Sequence, residues 1–170
     1  MKLRGLPPVL GPEIETLVLG SFPSVASLAA HEYYAHPQNQ FWKIIAAIAG
    51  SSAGGAAMTY AQRKAAALAL GIGIWDVVEA CKRAGSGDER IENVRVNDFS
   101  SLNTRAPCLR RVCFNGQTAA KLGRPIFEGL ISGSGRAYEI CILPSTSPRH
   151  ARMTLAEKTE IWQQALSGGF

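Results

Sequence analysis

Thr16-Leu17-Val18-Leu19-Gly20, followed at once by Ser21-Phe22-Pro23-Ser24, is the stretch on which the fold turns. Its apolar residues are continuous rather than alternating, which marks a strand buried on both faces, as in a parallel sheet. Gly20 permits a tight turn and Pro23 stiffens it, so the loop can aim backbone N–H groups into a cleft. The alternative is a routine strand-to-helix connection.

Three further runs have the same character, at 72–78, 109–115 and 138–143. Between them lie helical patterns. Residues 39–49 carry Phe41, Trp42, Ile44, Ile45 and Ile48 at helical spacing, 59–70 is alanine-rich, 116–122 is short, and 154–166 closes the chain. Thr154 with Glu157 three residues on predicts a capping box. Strands alternating with helices predict an α/β fold, a three-layer α/β/α sandwich around a central, mainly parallel four-stranded sheet. No repeat or linker divides the 170 residues, so one domain spanning 1–170 is expected. The small-residue stretches 50–57 and 84–88 read as exposed loops.

Apolar residues make up 46% of the chain, ordinary for a globular protein. Lys and Arg number 18 against 13 Asp and Glu, a formal net charge of +5. That balance suits an anionic partner such as nucleic acid, and equally a mildly basic soluble protein. No secretory signal is evident, and no apolar run reaches the roughly 18 residues of a membrane span. Cys81, Cys108, Cys113 and Cys141 form no Cys-x-x-Cys pair, so buried free thiols in a reducing cytoplasm are expected rather than an iron–sulfur cluster. The phosphate-loop, dinucleotide and nucleophile-elbow signatures are missing, and the three His lack metal-site spacing.

The chemistry gathers at strand ends. Tyr33-Tyr34 and Ala35-His36-Pro37-Gln38-Asn39-Gln40-Phe41-Trp42-Lys43 combine stacking and hydrogen-bonding groups suited to a flat heterocycle. Tyr34 is a stacking platform, where a base contributes about 1–3 kcal/mol. Asn39 can read a base edge or orient a water, or it can cap the helix. His36 can bind phosphate, line the pocket or be structural. Phe41 and Trp42 belong to the core. Pro144-Ser145-Thr146-Ser147-Pro148-Arg149-His150 supplies hydroxyls, amides and a guanidinium suited to a phosphate grip, or forms a solvated loop. Asp76 ends a buried strand, where it lines a pocket or, the reading preferred here, caps the next helix or pairs with Arg83. Arg83, Ser86 and Asp88 complete a candidate rim. Asn115-Gly116-Gln117 carries nothing specific.

In this order these motifs resemble the uracil-DNA glycosylase superfamily. Ala35–Lys43 is similar to the mismatch-specific uracil enzymes. Gly20–Ser24, 73–78, Arg83 and Ser86/Asp88 resemble the hypoxanthine-DNA glycosylase branch, and the likeness covers roughly residues 15–165. It implies a flipped base, hydrolysis of its N-glycosidic bond and an abasic product, with no metal or cofactor. It places Tyr34 on the base and Gly20–Ser24 on the water-activating loop, so that Gly20, Ser21, Phe22 and His36 are expected to bind the base and Ser24 the DNA. Ser145, Thr146, Ser147 and Pro148 fall on the DNA-inserting loop, and Arg149 and His150 after them are expected to bind DNA as well.

Two positions depart from the wider pattern. Phe22 stands where many members carry Asp or Asn, and Ser145 where many uracil enzymes carry His. The hypoxanthine branch shares the first departure and uses the Asn of the second motif, here Asn39, as its catalytic residue. A monofunctional glycosylase removing hypoxanthine is therefore expected, as a monomer on double-stranded DNA, with single-stranded DNA as a secondary form, in a bacterial or archaeal cytoplasm at the nucleoid. The alternatives are a uracil or G:U/G:T mismatch-specific glycosylase and a non-catalytic lesion-binding module.

Overall fold

The computed structural model describes residues 2–51, 57–83 and 91–168. Thirteen elements follow in order: β1 (Lys2–Arg4), β2 (Thr16–Gly20), α1 (Val25–Ala30), α2 (Phe41–Ile48), α3 (Tyr60–Ala69), β3 (Ile72–Asp76), β4 (Val78–Arg83), β5 (Ile91–Val96), α4 (Leu102–Arg105), β6 (Arg111–Asn115), α5 (Gln117–Ser134), β7 (Glu139–Leu143) and α6 (Leu155–Ser167). The central sheet has four strands in the order β3-β2-β6-β7, all parallel.

Successive strand residues point to opposite faces, and both faces are covered. On one, Leu17, Leu19, Val112 and Phe114 pack with Ala119, Ala120 and Phe127 of α5. On the other, Val18, Ile72, Ile74, Cys113 and Leu143 pack with Phe41, Trp42, Ile44 and Ile45 of α2, Ala67 of α3 and Trp162 of α6. The continuous apolar runs are explained by these three layers. Thr59 and Thr154 both form complete capping boxes, with Gln62 and Glu157. No described helix is long and apolar enough to cross a membrane.

Several sequence expectations are corrected. Residues 72–78 are not one strand: β3 stops at Asp76, and β4 enters a separate antiparallel sheet of order β1-β4-β5. At the crossing, Val77 N–H donates to Gly20 O (2.8 Å) and Val78 N–H to Ser21 O (3.0 Å), so the second sheet braces the turn after β2. The helix read at 116–122 runs on to Ser134, with Pro125 inside it. Cys81 and Cys113 are buried free thiols, whereas Cys108 is exposed and Cys141 half-buried. Most of the two predicted loops, including Ser86 and Asp88, lies outside the described residues.

Candidate functional site

The parallel strands end side by side at Gly20, Asp76, Asn115 and Leu143. From β2 the chain builds β3 on one side and later β6 on the other, so the winding reverses between β2 and β6. Open α/β sheets bind ligands at that point, outside the carboxyl ends of their strands. A cleft of about 720 Å³ lies there. Its walls come from 20–24, Tyr33, Tyr34, Asn39, Asp76, 115–118, 142–147, Arg149 and His150.

Gly20 and Asp76 are register partners across β2 and β3. A Cβ at position 20 would lie 2.5 Å from Asp76 Oδ1 and 3.2 Å from the Tyr34 hydroxyl. Glycine is thus required by close approach of these two groups, which meet over its Cα at the cleft floor. Asp76 is 4% exposed. It starts no helix, because β4 follows it, so the cap role preferred from sequence is corrected. Tyr34 adopts φ +56, uncommon for a bulky residue, and its ring stacks on Phe41 with centroids 4.1 Å apart. Phe41 is fully buried, so it backs Tyr34 and leaves the cleft to it. Neighbouring Tyr33 donates its hydroxyl to Leu6 O (3.1 Å) and accepts from the Trp42 indole at its carbonyl (2.8 Å). Burial, reinforced by the Asp76 carboxylate, pushes the Tyr33 phenol far above its ordinary value and keeps it neutral.

Asn39 sits at the cleft just before α2. Its Oδ1 accepts from the Phe41 N–H at 2.9 Å, closing a local turn into the first residue of α2, whose N-cap is Gln40, while the residue lines the cleft. That bond fixes the amide orientation and leaves one Oδ1 lone pair and the Nδ2 group for a ligand or water. His36 is not part of the cleft lining, which corrects its pocket assignment. It builds the preceding turn instead: Nδ1 accepts from Gln38 N–H (3.2 Å) and its carbonyl from Asn39 N–H (2.9 Å).

The loop after β7 is held from several sides. Asn115 accepts from Thr146 N–H (3.0 Å) and donates to Thr146 Oγ1 (2.9 Å). Thr146 is fully buried and its carbonyl accepts from Gln40 N–H (3.0 Å), so it anchors the loop rather than meeting a DNA strand. Ser145 and Ser147 accept from Ser147 N–H (3.2 Å) and Arg149 N–H (3.3 Å), folding the backbone locally. Pro148 and Arg149 are left exposed at the tip. Gly116, at φ +93, abuts Ser145, whose Cβ would be 3.0 Å from a Cβ there.

The remaining candidates support the site from behind. Phe22 is 7% exposed and packs with Val78 and Cys81. Its ring therefore packs toward the second sheet, while the residue also lines the cleft. Arg83 lies over that ring (5.1 Å) and donates to Pro23 O (2.7 Å), so it braces the 20–24 loop and does not form the cleft rim. Ser24 caps α1, accepting from Ser27 N–H at 3.1 Å. Among the described residues no three His, Cys, Asp or Glu side chains are placed to hold a metal ion.

The sequence profile of the uracil DNA glycosylase superfamily matches residues 7–166. The chain belongs to the uracil DNA glycosylase superfamily. Two full-length relatives, each called hypoxanthine DNA glycosylase, bear directly on this superfamily member. One, from Methanosarcina barkeri, is 36% identical over 97% of this chain and 98% of its own. The other, from Methanosarcina acetivorans, is 37% identical over 94% of this chain and 95% of its own. A solution NMR structure from M. acetivorans, described as a candidate uracil DNA glycosylase, superposes with a TM-score of 0.78 at 35% identity, covering 99% of this chain and 100% of that one.

Asn115, the first turn of α5 and the buried Lys158 contribute here without a sequence motif that marks them. Asn115 and the first turn of α5, Gln117 and Thr118, form a cleft wall. Asn115-Gly116 ends a buried parallel strand as Gly20-Ser21 does, and that positional equivalence was the available signal. Lys158, buried in α6, gave no signal in a pattern that reads as a solvated helix face.

Proposed function

We propose that this protein is a monofunctional DNA glycosylase that removes hypoxanthine from DNA, acting on a deoxyinosine flipped into the cleft below β2 and β6. The observation that carries the reading is the meeting of Tyr34, Asp76 and Asn39 around one cleft, with Gly20 kept bare beneath them. The names of the two full-length relatives support the choice of base. A base cannot be hydrolysed inside the stack, so it must be extruded first.

Each wall has a task in this reading. Tyr34, stiffened by its stack on Phe41, offers an aromatic face to the base. Hypoxanthine presents a lactam edge, an N1–H donor beside the O6 acceptor, whereas adenine presents a lone pair at N1. The Asp76 carboxylate accepts from the lactam N–H and opposes the adenine lone pair, and the backbone N–H groups of Ser21 and Phe22 serve O6. Asn39 orients water against C1′ through its remaining Oδ1 lone pair, or steadies the oxocarbenium-like transition state. Water oxygen bonds to C1′, the C1′–N9 electron pair leaves with the base, and the proton released by water passes to solvent as the base takes one up. Among the described residues no lysine lines the cleft, so none of them offers an amine there for a Schiff-base lyase step.

Ser147, Pro148 and Arg149 meet the distorted strand, with His150 beside them, on the loop anchored through Thr146. The acting unit in this proposal is one domain, a monomer on duplex DNA, in the compartment that holds the chromosome. The test presents duplexes with a single deoxyinosine, uracil or G·T mismatch. Release of hypoxanthine with an abasic product supports the proposal. Release of uracil alone would make it a uracil enzyme, and tight lesion binding without any base release would make it a binding module.

A further inference from the structure

Lys158 is 1% exposed, yet among the described residues it has no carboxylate within ion-pair distance. Its ammonium donates to Gln40 Oε1 (2.8 Å) and to His150 O (2.7 Å). One turn later on α6, Trp162 Nε1 donates to Pro144 O (3.0 Å). The helix therefore grips both ends of the 144–150 loop, and through Gln40 it also grips the residue after Asn39. Gln40 N–H in turn donates to Thr146 O (3.0 Å), so the start of α2 and the loop are locked together at two points.

A buried ammonium facing neutral acceptors is a costly way to fill space, since an apolar residue of like volume avoids desolvation. Desolvation also lowers the Lys158 pKa, as expected for such a group. What lysine supplies that Leu or Met cannot is three donors on a long stem, able to join two segments far apart in sequence.

We propose that Lys158 is a positioning residue that sets the Asn39 amide at its working distance from the DNA-facing loop. The proposal rests on the assignment of Asn39 made above. Misplacement by about 1 Å far from the chemistry can lower a rate on the order of 100-fold. Lys158→Met keeps the stem and removes the donors. Gln40→Leu removes one acceptor from the other side and serves if Lys158→Met does not fold.

The experiment measures single-turnover hypoxanthine release from a deoxyinosine duplex, with each substitution made in the wild-type and Asn39→Ala backgrounds. Circular dichroism establishes that each variant is folded at the assay temperature. In the wild-type background the rate is expected to fall roughly 10- to 100-fold. In the Asn39→Ala background the same substitution is expected to change the residual rate less than about threefold, because the group it positions is gone. A loss of equal size in both backgrounds, or a folded variant within about threefold of wild type, would overturn the role. Failure of the Asn39 assignment would appear separately, as an Asn39→Ala protein with full activity.

Discussion

Asp76 Oδ1 occupies the space that a side chain at Gly20 would need, 2.5 Å from where its Cβ would lie. The two residues are paired across β2 and β3, and this contact closes the end of the sheet at the floor of the cleft. Gly20→Ala should push Asp76 and the Tyr34 hydroxyl aside. Overpacking of this kind costs about 1–3 kcal/mol of stability. Base release should fall by more than that loss of folded protein explains. Thermal unfolding together with single-turnover kinetics on deoxyinosine DNA checks both.

Asp76→Asn keeps the shape and replaces an obligate acceptor with a group that can also donate. Hypoxanthine release should fall by roughly 10- to 100-fold, the range of one buried hydrogen bond to a charged group. Discrimination against adenine should narrow, because an amide can donate to the adenine N1. Competition between deoxyinosine duplexes and undamaged A·T duplexes, read as relative affinity, reports the change.

Phe22→Asp restores the residue type that many superfamily members carry at this position, and it should not raise activity. The Phe22 ring packs with Val78 and Cys81 against the second sheet. A carboxylate there would be desolvated and an aromatic cavity opened, a loss of about 3–5 kcal/mol. Chemical denaturation measures the loss. An active, normally stable Phe22→Asp protein would show that the side chain at 22 does reach the cleft.

Asn115→Ala removes both bonds to Thr146, leaving a buried hydroxyl without its donor. The expected loss of stability is about 1–3 kcal/mol. Binding to an abasic-site duplex should weaken as the tip carrying Pro148 and Arg149 loses its anchor. Titration of a fluorescent abasic duplex at fixed salt tests this.

The four parallel strands and the helices between them were legible because each buries residues in a pattern set by its own geometry. The second sheet was not. Its β5 strand, Ile91–Val96, is almost wholly exposed, so burial left no imprint on its sequence. The length of α5 was not legible either: the pattern reads as a short helix over 116–122, whereas the helix runs to Ser134. Gly123 is there because a Cβ would lie 2.4 Å from the Phe114 ring, and the helix continues beyond it to bury Phe127. In the site, Tyr34 and Asn39 were legible as side chains of the right chemistry beside a strand end. Asp76 was legible as a buried charge, but its partner in space, Gly20, emerges only from the parallel register. Lys158 could not be read at all, since Gln40 lies 118 residues away in sequence.

In the proposed mechanism Asn39 carries the hydrolysis of deoxyinosine in this cleft. Its most direct test is single-turnover release of hypoxanthine from a deoxyinosine duplex by wild-type and Asn39→Ala protein, with abasic-duplex binding measured alongside. Free hypoxanthine and an abasic strand from the wild type are predicted. For Asn39→Ala, release should fall by on the order of 100-fold or more while abasic-duplex binding is largely kept. No hypoxanthine from the wild type, or an Asn39→Ala protein as fast as the wild type, would contradict it.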